Sequence, residues 1–152
     1  MKPDSAPGVQ TERFGYPPAF QRLIFVARWV ATSLTYNMPA LLYITEWGIW
    51  SENLLHLYYR LRQSYDDHRL LAEAPGHLFL QYEMEDLASF LQIAMLNGWG
   101  GYILTQADYV NAFFSHDEYI DFFAEDETNL ADVREVLGDL PRDPRATKKD
   151  RP

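Results

Sequence analysis

Between Leu41 and Thr105 short apolar runs alternate with stretches of helical period, and this alternation bounds the fold more tightly than any other feature of the chain. Leu41 to Ile44 reads as a buried strand ending at Glu46. Ser51 then caps a helix whose apolar stripe is Leu54, Leu55, Tyr58, Leu61 and Tyr65. Pro75-Gly76 marks a turn before a second strand, Leu78 to Tyr82. A helix from about Glu85 to Asn97 turns Leu87, Phe90, Leu91, Ala94 and Met95 inward and stops at Asn97-Gly98. Tyr102 to Thr105 is the third strand. A central β-α-β-α-β order of this kind implies an α/β domain with a small three- to four-stranded mixed sheet, parallel neighbours and flanking helices. A layered α+β domain is the alternative.

The flanks extend this core. Pro17-Pro18 starts a helix carrying Phe20, Leu23, Ile24, Ala27, Val30, Ala31 and Leu34. Tyr109 to Phe114 is a fourth strand candidate. Ser115 followed by Glu118 matches a capping box and predicts a helix through Phe123. A last helix spans about Asn129 to Leu137 and ends at Gly138. Residues 1–16 and 139–152 are rich in Pro and polar residues and are expected to be flexible, leaving one globular domain over 17–138. The apolar runs ending in Glu46 and Glu83 echo one another, as shared supersecondary logic produces.

Charge is segregated. From Leu70 to Val133 there are twelve Asp or Glu and no Lys or Arg, and eleven aromatics lie between Phe79 and Phe123. From Gly15 to Gly138 six Arg face seventeen acids, a formal charge of −11, more acidic than the −9 of the whole chain. A field of this sign repels nucleic acid and anionic lipid and attracts basic surfaces. The chain has no cysteine, its longest uncharged runs are poor membrane spans, and Met1 to Gln10 lacks a signal-peptide pattern. A soluble, cytoplasmic protein is the expectation.

Chemistry is sparsely marked. If the first two strands were parallel neighbours, Glu46 and Glu83 would share a sheet edge with Trp47, Trp50 and Glu85, and His77 would be nearby. Such a set could separate an acid from a base, as a small hydrolase or isomerase requires. Equally, Glu83, Glu85 and Asp86 suit a helix N-terminus. The four histidines show no metal spacing, and Asp66-Asp67-His68 reads as a solvated helix end. Asn97-Gly98-Trp99-Gly100-Gly101 lacks the order of a phosphate loop, so no metal or cofactor is expected.

Asp117 to Glu127 holds six carboxylates interleaved with aromatics. An amphipathic helix accounts for this pattern. The functional reading makes Trp99, Glu118, Tyr119, Asp121, Phe122, Glu125 and Asp126 an interface for a basic protein partner. In size, charge and lack of catalytic signatures the chain is similar to small acidic bacterial inhibitors such as immunity proteins and antitoxins. That similarity implies a non-enzymatic protein that neutralises a basic one. An accessory or scaffold subunit of a larger assembly is a further alternative.

Overall fold

Six strands form one sheet in which every neighbouring pair is antiparallel: β1 (Gln10–Gly15), β2 (Ala40–Glu46), β3 (Gly76–Phe79), β4 (Gly100–Thr105), β5 (Asn111–Ser115) and β6 (Tyr119–Ala124). The spatial order is β1-β6-β5-β4-β2-β3. The computed structural model describes residues 8–35, 38–47, 52–105 and 110–142, with the backbone alone at 52–54. Its helices are α1 (Phe20–Trp29), continued by a π turn at Val30–Leu34, α2 (Glu52–Gln63), α3 (Met84–Leu96) and α4 (Ala131–Leu137), which follows a 3₁₀ turn at Glu127–Leu130. The expected three- to four-stranded mixed sheet with parallel neighbours is therefore wrong, and the α+β alternative is compatible with the architecture. Twelve residues, 64–75, follow α2 and return the chain beside β2 in the opposite sense. Next, α3 carries it past β2, so β3 and β4 run parallel with β2 between them.

Two further local expectations change. The helix proposed from Ser115 through Phe123 is a β-hairpin. The Ser115 hydroxyl accepts from the Asp117 N–H (3.1 Å), the Glu118 N–H donates to the Ser115 carbonyl (3.1 Å), and Glu118 sits in the left-handed region at φ 66°. Tyr119-Ile120-Asp121-Phe122-Phe123 is rich in β-formers and has a partner strand on each side, which outweighs an isolated cap signal. Gln10–Gly15, expected within a flexible segment, is an edge strand whose Gly15 N–H donates to the Pro141 carbonyl. Ser51 and Trp50 lie outside the described residues.

The core lies on one face of the sheet. Cross-strand register places Leu42, Ile103, Ala112 and Phe122 in one row, and Ile44, Gly101, Phe114, Ile120 and Phe14 in the next. Onto these rows pack Val26 and Ala27 of α1, Leu87, Phe90, Leu91 and Ala94 of α3, and Val133 and Leu137 of α4. Edge-to-face contacts of Phe122 with Phe14 (6.0 Å) and Trp29 (6.4 Å) lock the centre. The glycine cluster has a steric cause: Gly98 takes φ 64° after α3, and a Cβ on Gly101 would lie 2.5 Å from the Tyr43 carbonyl oxygen.

One charge is sealed inside this layer. The Arg62 side chain on α2 is 1% exposed, and its Nη2 donates to Asp67 Oδ2 at 2.6 Å. Arg69 Nε and Nη2 donate to the same carboxylate at 2.9 and 3.1 Å. The turn after α2 is thereby tied back to its own helix. Arg69, reinforced by Arg62, holds the Asp67 carboxyl well below the ordinary range despite partial burial. Asp67→Asn leaves Arg62 buried without a counter-charge and should cost about 3–5 kcal/mol, measured by urea denaturation. Because the folded pKa is depressed, this stabilisation is complete above about pH 4 and is lost as pH falls through the folded value. The variant should lack that acid limb.

Candidate functional site

The residues expected to form an acidic interface do not share a surface. Trp99 and Phe122 are core residues, 2% and 0% exposed. Asp121 is buried at 3% exposure and accepts two hydrogen bonds from Arg13, each 2.6 Å. Tyr119 lies beneath the same guanidinium, 3.9 Å from ring centre to Cζ. Glu118 occupies the β5–β6 turn, whereas Glu125 and Asp126 follow the far end of β6, separated from it by roughly 20 Å of strand. Glu125 is exposed, and the Asp126 carboxylate accepts from the Thr128 N–H at 2.9 Å. Arg13, which organises Tyr119 and Asp121, was hidden in sequence because its pairing spans 108 positions.

The proposed catalytic set is also separated. Glu46 ends β2, and Glu83 follows β3, so in an antiparallel pair they stand at opposite ends, roughly 20 Å apart. Glu46 instead meets His116 Nδ1 across β4, with Asp117 3.6 Å from His116 Nε2. The Glu83 carboxylate accepts from the Leu80 N–H at 2.7 Å and closes the turn into α3. Among the described residues no group of three His, Asp or Glu converges to hold a metal.

His77 sits on the inner face, stacked on Phe90 (5.5 Å) and against Phe79 (4.6 Å), with Asp67 3.8 Å from Nδ1. Burial holds its imidazole below the ordinary value, and Arg62 adds to that effect. The folded chain thus binds fewer protons here than the unfolded chain, and stability falls as pH drops below about 6.5. His77→Phe preserves a ring in this stack. Its melting temperature should change less than that of the parent between about pH 7 and pH 5, a difference thermal scans across that range will show.

The largest unassigned feature is the other face of the sheet. Register aligns Leu78, Leu41 and Leu104 in one outward row, and Tyr43, Tyr102, Phe113, Asp121 and Arg13 in the next. None of the outward apolar residues in these rows belongs to the main core, and the described helices contribute their buried residues to the opposite face. Leu78 is 57% exposed, Tyr43 39% and Leu80 38%. Tyr102 and Phe113 touch at 4.8 Å, and Phe113 reaches Tyr119 at 6.2 Å. A hollow of about 340 Å³ is lined by Pro39, Leu41, Leu78, Leu80, Leu104 and Thr105. Leucines thus line the hollow, and aromatic rings form the row beside it.

No described helix is long and apolar enough to cross a membrane. No protein-family model, curated protein or solved structure matches this chain.

Proposed function

We propose that this chain is a non-enzymatic binding protein that engages a basic protein partner through the face of its sheet opposite the described helices. The observation that carries the proposal is the exposure of Tyr43, Leu78 and Leu80 beside half-buried Leu41 and Tyr102 on an acidic body. Covering the exposed half of such a side chain contributes about 1 kcal/mol, so several together anchor a complex. Charge supplies the selection. On the two aligned rows Arg13 is the one cation, and Asp121 already holds it. Glu46, Asp117 and Glu118 stand at one end of the sheet, with Glu83, Glu125 and Asp126 at the other. A basic partner gains from both ends, whereas an acidic one is repelled. In size and charge the chain is similar to inhibitors of the immunity or antitoxin kind, which supports this reading.

The exposed apolar face also supports a second reading, an accessory subunit with a permanent interface. Salt separates the two. The immobilised chain should retain a protein of basic isoelectric point at low salt and release it at moderate salt. A permanent apolar complex would persist. The double variant Tyr43→Glu, Leu78→Glu changes exposed positions only. It should keep its melting temperature within a few degrees, as ordinary surface substitutions do, and should lose capture. Retention by that variant at parental strength rejects this face as the interface.

A further inference from the structure

β3 closes one edge of the sheet with Gly76-His77-Leu78-Phe79, a strand without Asp, Glu, Lys, Arg or Pro. Natural edge strands are ordinarily blunted by such residues. The opposite edge obeys that rule: β1 carries Glu12 and Arg13, and Pro141 covers its Gly15 N–H. On β3 the Ile44 N–H donates to the Pro75 carbonyl (3.0 Å), which fixes the phase of the ladder. Antiparallel alternation then points Pro75, His77 and Phe79 at β2 and turns the N–H and C=O of Gly76 and Leu78 outward. Among the described residues no backbone group pairs with them.

A concavity of about 640 Å³ runs beside this edge, between Gly76–Leu78 and the turn at residues 65–69. Arg62 and Arg69 pin that turn through Asp67, so the wall is fixed. Leu78 also lines the leucine hollow, which makes edge and hollow contiguous. We propose that β3 is a docking edge. An extended segment of the partner adds there as a seventh strand, seating an apolar side chain in the hollow and turning a basic one toward Asp66. This deepens, and rests on, the basic-partner reading.

The wall selects the occupant. Facing the edge across one concavity, it admits a single extended segment and obstructs a second folded copy, whose own edge strand is backed by its sheet. Charge favours a basic side chain. Arg69 is engaged by Asp67, while the Asp66 side chain is fully exposed, with His68 at 3.3 Å beside it. Backbone bonds would supply affinity and the hollow specificity, as strand addition does elsewhere.

Amide spectra of the full chain test this, with a capped peptide of alternating lysine and valine as the probe. The amides of Gly76 and Leu78 should shift most. Their hydrogen exchange should slow by about tenfold, the effect of one added hydrogen bond. Methylating alternate backbone nitrogens of the peptide should abolish both effects. Leu78→Pro, at an edge position where proline is tolerated, should abolish both effects at the Gly76 amide while the signals of Ile103 and Phe122 stay in place. Shifts confined to Tyr102 and Phe113, or equal binding of the methylated peptide, overturn strand addition and leave the basic-partner reading standing. Equal binding of a glutamate–valine peptide at Gly76 and Leu78 upholds the edge and overturns the basic partner. Unmoved Gly76 and Leu78 amides with both peptides overturn the docking edge.

Discussion

Burial of one face of a six-stranded antiparallel sheet is the constraint on which the rest of this structure depends. The described helices pack against that face, so Phe122, Ile103 and Leu42 meet Val26, Leu87 and Leu91 there. An antiparallel sheet does not need a second layer, because its other face can stand in solvent. What is unusual is the composition of that face: in place of an alternating polar set it presents Leu41, Tyr43, Tyr102, Leu104 and Phe113. The same geometry governs the buried charges. Arg62 is sealed from solvent and needs Asp67, while Asp121 on the outer face needs Arg13.

The direction of the strands was not legible for a related reason. In Ala40-Leu41-Leu42-Tyr43-Ile44 both sets of alternate residues are apolar, so the period-2 signal of a half-exposed strand disappears. A strand buried on both faces of a parallel sheet has that appearance too. The helix α3 was legible, because the stripe Leu87, Phe90, Leu91, Ala94 carries its own period, whereas the capping-box signal at Ser115 misread β6 as a helix. Deciding between parallel and antiparallel required the path of residues 64–75, which no local pattern encodes. β1 was obscured differently: Thr11, Glu12 and Arg13 read as a polar segment. Their partners, Arg134 and Arg142 for Glu12 and Asp121 for Arg13, lie more than a hundred positions away.

Segregation of charge along the chain also dissolves in part on folding. The stretch from Leu70 to Val133 contains no cation, yet Arg13, Arg28 and Arg134 reach into it from outside to meet Asp121, Glu85 and Glu127. The expected acidic interface is itself divided, with Glu118 before β6 and Glu125 and Asp126 after it. The anionic character survives as a property of the whole body, with no single carboxylate cluster to carry it. Weight therefore shifts from the acids to the apolar face they surround, which sequence could reveal only through the very ambiguity that hid the strand direction.

Apolar face and negative body together solve a problem that neither solves alone. A leucine and tyrosine surface that no described helix covers, next to an edge strand without charged residues, invites association between identical chains. A net charge of −9 opposes that encounter, because every copy carries the same sign. The repulsion acts over about a Debye length, roughly 10 Å at ordinary salt, and so weakens approach before apolar contact forms. For the basic partner proposed above the same field would become attraction. On that proposal charge selects which chain arrives, and the leucines and aromatic rings decide whether it stays.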